Sequence, residues 1–175
     1  MIIPYGTTHP RIGERLFLAP GAWVIGDCDI GDDVSIFFGS VLRGDILPIR
    51  IGKRTNIQEH SIIHTSNGRI PTTVGEEVTI GHRSLLHGCT VGDRVLVGMG
   101  SILLDECVIG EDSVIGAGSL VTEGKAFPPR SMIFGSPAKL VRELRSEEVE
   151  YLRTSANRYV EVGRRYREQG LSDHA

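Results

Sequence analysis

The stretch VGDRVLVGMGSILLDECVIGEDSVIGAGSLVTEGKAF (Val91–Phe127) returns an apolar residue every six positions: Val91, Val97, Leu103, Ile109, Ile115, Val121 and Phe127. Upstream the same period runs through Ile12, Leu18, Val24, Ile30, Ile36 and Leu42, then Ile51, Ile57 and Ile63, then Val74, Ile80 and Leu86. Eighteen of these nineteen positions are Ile, Leu or Val, types that make up about a quarter of the chain. A repeat this short is the signature of a β-helix, in which each step is a small strand segment and a corner. Only three intervals differ from six: Leu42 to Ile51, Ile63 to Val74, and Leu86 to Val91. Glycine often follows the aliphatic, as at Gly13, Gly31, Gly52, Gly75, Gly81, Gly92, Gly98, Gly110 and Gly116. The expectation is that these glycines supply positive φ at the corners. Four residues after the aliphatic the side chain is usually small, as at Ala22, Cys28, Ser40, Thr55, Ser61, Ser84, Ser101, Cys107, Ser113 and Ser119. Such residues fit inside a narrow triangular tube.

Beyond Phe127 the period stops at Pro128-Pro129, and Gly135-Ser136-Pro137 reads as a turn. Ser146 is placed to cap a helix with Glu147 and Glu148 in its first turn. Val149, Leu152, Ala156, Tyr159, Val160 and Tyr166 give that helix an apolar stripe that would dock on the outside of the coil. The expected layout is a β-helix over residues 1–130, a connector over 131–145, an amphipathic helix over 146–169 and a frayed tail over 170–175.

At 175 residues with net charge −3, the chain reads as one domain with interspersed charges. Nothing marks a nucleic-acid groove or a membrane patch. No apolar run is long enough to span a bilayer, and the start lacks the layout of a secretion signal. Three cysteines cannot pair completely. Cys28 and Cys107 fall at the small inward position, so a reducing cytoplasm is the simplest location. Cys89, two residues after His87, reads as a packed thiol.

With three steps per coil, residues three steps apart stack at roughly ~4.8 Å. Leu42, Ile63 and Leu86 become stacked equivalents, so Arg43, His64 and His87 form one outward column. Two imidazoles one rung apart can share a metal ion. His82 lies two residues after Ile80, on the preceding face, in a column running Phe38, Glu59, His82 and Met99 with Gln58 beside it. Around that corner it is poorly placed to complete the pair within its own chain. A cyclic trimer would bring it against the pair of a neighbour, giving an intersubunit site with two ligands from one chain and one from the next. A single histidine on such a face is ordinarily a solvated residue, and His9, His60 and His174 read that way. Three neutral nitrogens leave a fourth position open, which is the catalytic kind of zinc site.

At these residues the chain resembles the gamma-class carbonic anhydrases, and most of all their small bacterial relatives. The matching segments are Arg43-Gly44-Asp45, Thr55-Asn56-Ile57-Gln58-Glu59, Ile63-His64, Gly81-His82, His87-Gly88-Cys89 and Gly98-Met99-Gly100. The resemblance implies an all-β fold, a left-handed parallel β-helix of hexapeptide repeats with a C-terminal α-helix packed alongside, assembled as a homotrimer. It implies that His64, His82 and His87 bind zinc, or iron or cobalt in its place. The activity implied is interconversion of carbon dioxide and bicarbonate. Gln58 would position a metal-bound hydroxide beside carbon dioxide. Arg43 and Asp45 would form a guanidinium–carboxylate pair near the subunit interface, with Asn56 supporting the same network and Met99 in the apolar wall above the metal.

The chain departs from the family pattern in three places. Glu59 stands where aspartate is usual, Ile46 replaces an acidic residue, and the segment Thr65-Ser66-Asn67-Gly68-Arg69 has no acidic proton-shuttle loop. A positioned acid or base usually contributes ~10²–10⁴-fold. Turnover is therefore expected to be slow, or to use Glu59, buffer or another substrate. Two other functions compete. One is a hexapeptide acyltransferase or thioesterase acting on coenzyme A esters, which the fold and the Gly135-Ser136-Pro137-Ala138-Lys139 tail permit. The other is a non-catalytic, metal-stapled trimeric scaffold.

Overall fold

The computed structural model describes residues 1–68 and 70–173. The hexads wind into a parallel β-helix of three faces. On the first face Val41–Ile51, Ile62–His64, Leu85–His87, Ile102–Leu103 and Leu120–Val121 pair in parallel. Val41–Ile51 continues round a corner onto the second face, where it meets Thr72–Val74, Thr90–Val91, Val108–Ile109 and Ala126–Phe127. The third carries Phe17–Leu18, Ser35–Ile36, Asn56–Ile57, Thr79–Ile80, Leu96–Val97 and Val114–Ile115.

The apolar member of every hexad from Leu18 to Phe127 is buried, and Ile12 at the open first turn is partly so. Burying each such side chain stabilises the fold by about 1.5–3 kcal/mol. The ten small positions are buried too. Their hydroxyls donate to corner carbonyls: Ser40 to Gln58 at 2.8 Å, Ser61 to Gly81 at 3.1 Å and Ser84 to Gly81 at 2.7 Å. Among the described residues no buried polar side-chain atom lacks a partner.

The corner glycines do a different job from the one expected. None of those that follow an aliphatic has positive φ. They are required because successive turns press together there: a Cβ on Gly110 would lie 2.3 Å from the Pro129 nitrogen, and one on Gly98 would lie 2.5 Å from the Ala117 nitrogen. Positive φ is adopted instead by charged residues stacked at one corner, Arg15, Asp33, Arg54, Glu77, Arg94, Asp112 and Arg130, with φ between 53° and 62°. Their signs alternate along the coil. Ion pairs join Arg15 to Asp33 at 2.8 Å, Arg54 to Glu77 at 3.0 Å and Arg94 to Asp112 at 2.6 Å. Left-handed backbone costs an L-residue about 1–2 kcal/mol, and exposed pairs of this kind, each worth about 0–1 kcal/mol, offset only part of that.

The C-terminal region differs from expectation in three ways. The segment expected as a connector, 131–145, folds into two antiparallel strands, Ser131–Gly135 and Ala138–Glu143, and the first extends the third face. A return strand has no six-residue period, so the hexad count cannot detect it. Ser146 is the first helical residue rather than the cap. Arg145 occupies the cap position, and the Glu148 carboxylate accepts its backbone N–H at 2.8 Å. The part of the expected frayed tail within the described residues folds back. Asp173 donates its backbone N–H to the Leu18 carbonyl at 2.8 Å, and the Leu18 N–H donates to the Ser172 hydroxyl at 3.3 Å. Those contacts satisfy an edge strand at the start of the coil. His174 lies outside the described residues.

The helix Ser146–Glu168 docks on the third face. Its buried stripe runs through Val149, Leu152, Ser155, Ala156 and Gly163, with Tyr159, Val162 and Tyr166 packed on Phe17 and Phe37. Val162 rather than Val160 packs against that cluster. Gly163 allows the close approach, since a Cβ there would lie 2.3 Å from the Ser35 hydroxyl. Among the described residues no helix is long and apolar enough to cross a membrane.

Candidate metal centre

All three irregular intervals of the repeat fall at the same corner. Leu42, Ile63 and Leu86 stack on the first face, and Ile51, Val74 and Val91 stack on the second. The chain between them is free of the hexad constraint, and here the coil builds its polar site. His64 and His87 are register partners on adjacent strands, with ring centroids 5.2 Å apart. Arg43 lies one rung below. The first insertion sets Asp45 to Pro48 opposite Asp27 alone and brings Asp45 up beside His64. The second begins just after His64, whose carbonyl accepts the Thr72 hydroxyl at 2.5 Å.

Each ring of the pair is held from behind by a carboxylate. His64 Nε2 lies 3.1 Å from Asp45 Oδ1, and His87 Nδ1 lies 2.5 Å from Asp105 Oδ1. Arg43 donates to the other Asp45 oxygen at 2.5 Å. Burial raises the Asp45 carboxyl, but the hydrogen bonds from Arg43 and His64 outweigh it and hold the group below the usual range. Burial pushes the His64 imidazole below its ordinary value, although Asp45 pulls the other way. His64 is therefore neutral at neutral pH.

A carboxylate only accepts, so the nitrogens facing Asp45 and Asp105 carry the ring protons. In the neutral form that binds metal, each ring keeps one bare lone pair, at His64 Nδ1 and His87 Nε2, and these two atoms are 3.2 Å apart. Facing lone pairs repel unless a proton or a cation lies between them. Two nitrogens ~2.05 Å from one tetrahedral ion are about 3.3 Å apart. The donor set fits a zinc-like ion.

His82 stands round the corner, in the column read from the repeat: the N–H groups of His60, Arg83, Gly100 and Gly118 donate to the carbonyls of Phe38, Glu59, His82 and Met99. The Glu59 carboxylate holds His82 Nδ1 at 2.6 Å. The His82 side chain is 46% exposed, against 12% for His64, so it offers a free nitrogen to whatever packs on that face. Among the described residues no three His, Cys, Asp or Glu side chains gather into a metal site within one chain.

Beside His82 a groove of about 370 Å³ runs between the coil and the helix, lined by Gln58, His82, Met99, Val114, Arg158 and Tyr159. Gln58 is buried and donates to Asn56 Oδ1 at 3.2 Å, while Asn56 donates to the Thr79 hydroxyl at 2.9 Å. Tyr159 lines the same groove as Gln58, and burial raises its phenol above its ordinary value. Met99 is 58% exposed at the mouth of the groove. His9 and His60 are exposed and away from the pair. Sequence reasoning missed Asp105 altogether and counted Tyr159 only as helix packing. The signal for Asp105 was its place in the column above Gly88, a residue with no side chain to keep it away from His87.

A family model, "Bacterial transferase hexapeptide (six repeats)", matches residues 88–123. The Escherichia coli protein YrdA is 50% identical, the match covering 95% of this chain and 94% of that one. A carbonic anhydrase of Geobacillus kaustophilus is 44% identical over 95% of this chain and 91% of its own. The mitochondrial gamma carbonic anhydrase 2 of Arabidopsis thaliana is 41% identical over 87% of this chain and 57% of its own. The chain belongs to the gamma carbonic anhydrase-like family. A solved structure of a hexapeptide transferase family protein from Anaplasma phagocytophilum superposes with a TM-score of 0.90 at 42% identity, covering 95% of this chain and 98% of that chain. In this gamma carbonic anhydrase-like chain the Glu59 carboxylate is taken up by His82. Ile46, next to Asp45 in the chain, is 43% exposed.

Proposed function

We propose that the protein is a metal-dependent carbonic anhydrase-like lyase, interconverting carbon dioxide and bicarbonate at sites between the subunits of a homotrimer. The observation that carries this reading is the pair of bare nitrogens on His64 and His87, each ring braced by a carboxylate. His64 and His87 of one chain and His82 of a neighbour would hold the ion, zinc first, with iron or cobalt as substitutes. When bound, such an ion acidifies water toward the neutral range and so supplies a nucleophile for carbon dioxide.

The remaining roles follow from contacts within the chain. The Gln58–Asn56–Thr79 chain of hydrogen bonds holds the Gln58 amide in one orientation, fit to aim a small polar reactant. Asp45 braces His64 and anchors Arg43, so the Arg43–Asp45 pair is part of the site's frame. Glu59, bonded to the partly exposed His82, is the carboxylate assigned to carrying a proton outward. A neighbouring subunit has a surface to pack on: Val41, Ile62, Leu85, Ile102 and Leu120 stack outward on the first face, with Ile62 47% and Ile102 38% exposed. An apolar stripe of that kind beside the histidine pair suits a second copy of the same chain.

Metal analysis of anaerobically purified protein, paired with stopped-flow hydration on zinc- and iron-loaded samples, tests the proposal. Stoichiometric metal and hydration activity that disappears in His82→Ala support it. Equal rates in the variant would sink it. One observation favours an acyl-transfer or thioesterase reading, namely that the groove beside His82 is several times larger than carbon dioxide requires. Turnover of a coenzyme A ester by metal-free protein would decide for that reading.

A further inference from the structure

We propose that Asp105 is the positioning residue for His87. Its carboxylate fixes that ring as the Nδ1–H tautomer and reserves Nε2 for the ion. The inference rests on the metal-site reading above and adds to it the group that makes His87 a ligand through one particular nitrogen.

Three observations meet at this residue. Asp105 Oδ1 lies 2.5 Å from His87 Nδ1, on the side of the ring away from His64. The approach is open because Gly88 is the residue between the two rungs: a Cβ at Gly88 would lie 2.6 Å from Asp105 Oδ1 and 3.0 Å from Ser66 Cβ. The backbone holds the two turns together at this point, with the Glu106 N–H donating to the Gly88 carbonyl at 2.7 Å. A free neutral imidazole samples both tautomers, and its Nε2–H form has no lone pair on that nitrogen to give a metal. Asp105 removes that form. The same arrangement recurs at the other two histidines, with Asp45 behind His64 at 3.1 Å and Glu59 behind His82 at 2.6 Å. Carboxylates so placed behind metal-binding histidines typically contribute 10–100-fold in affinity.

Two readouts on the intact assembly test this. Zinc affinity is measured by chelator competition for the parent, Asp105→Ala, Asp105→Asn and the control Asp112→Ala, which removes a carboxylate from the charged corner. Nitrogen-15 NMR of the metal-free proteins reads the His87 tautomer directly. The expected result is zinc binding weakened about 10–100-fold in Asp105→Ala, with His87 signals of both tautomers. Asp105→Asn, whose amide oxygen still accepts, should recover part of the affinity, and Asp112→Ala should match the parent. Parental zinc affinity in Asp105→Ala, or a His87 that stays Nδ1–H without the carboxylate, would overturn the proposal. If the parent itself takes up no zinc, the metal reading fails, and the NMR arm still decides whether Asp105 sets the tautomer.

Discussion

From Val91 to Phe127 the coil never departs from its six-residue step, whereas between Leu42 and Val91 it departs three times at one corner. The first region is nearly all packing: Val91, Ile109 and Phe127 stack on the second face and Val97 and Ile115 on the third, all buried. The second keeps the same interior and adds His64, Asp45 and Arg43 around segments that the repeat does not constrain. The regular turns act as a ruler that sets the spacing of adjacent rungs. The irregular corner uses that spacing to hold two imidazoles at the separation one ion needs. Stability and chemistry are thereby largely divided between neighbouring stretches of one solenoid, with Asp105 the regular stretch's contribution to the histidine pair.

That division can be broken from either side. Ile109→Ala, in the regular region, should cost about 2–5 kcal/mol of stability through lost burial and the cavity left behind, read by denaturant melts, while metal stoichiometry per folded chain stays at the parental level. His64→Ala or His87→Ala should do the reverse. Metal affinity should fall by more than the ~10–100-fold that loss of an outer partner costs, with the metal-free melting curve little changed. Asp45→Asn should sit between these, weakening zinc binding by about 10-fold without abolishing it, because the amide oxygen can still face His64. A large loss of folding stability in the histidine variants would mean that the two regions are not separable.

The smallest expected effect concerns the charged corner. The hydrogen bond from Arg15 holds the Asp33 carboxyl below its ordinary value, against the effect of burial. A depressed carboxyl stabilises the fold above its unfolded pKa of about 3.9, and that contribution is lost as pH falls through the folded value. The melting temperature should therefore drop as pH falls below about 4, and Asp33→Asn should flatten that drop slightly. An identical acid slope in the variant would remove Asp33 from the list of contributors.

Much of this molecule is legible in its sequence because a solenoid converts spacing into position. Counting hexads finds the buried aliphatics, stacks His64 on His87 and sets His82 in the Glu59–Met99 column. The method fails where position along the chain does not determine direction. Asp105 sits in a regular turn, and only the missing side chain at Gly88 lets it reach His87. The Arg15–Asp33–Arg54–Glu77 alternation recurs once per turn of the coil, too widely spaced for a local reading. The corner glycines read as a backbone requirement in sequence, while the constraint on them is contact between turns. The strands Ser131–Gly135 and Ala138–Glu143 lie outside the period altogether. Tyr159 fits a helical stripe so well that its polar end, near Gln58, escaped notice.

The central claim is that each ion is shared between chains, with His64 and His87 from one subunit and His82 from the next. Subunit complementation tests it most directly. His82→Ala protein and His64→Ala/His87→Ala protein are each stripped of metal, then dissociated and reassembled together. In a cyclic trimer containing both types, one interface pairs an intact His64/His87 set with an intact His82. The account predicts that neither variant binds stoichiometric zinc alone and that mixed trimers recover one site each. Mixed trimers as empty as the separate variants would contradict it.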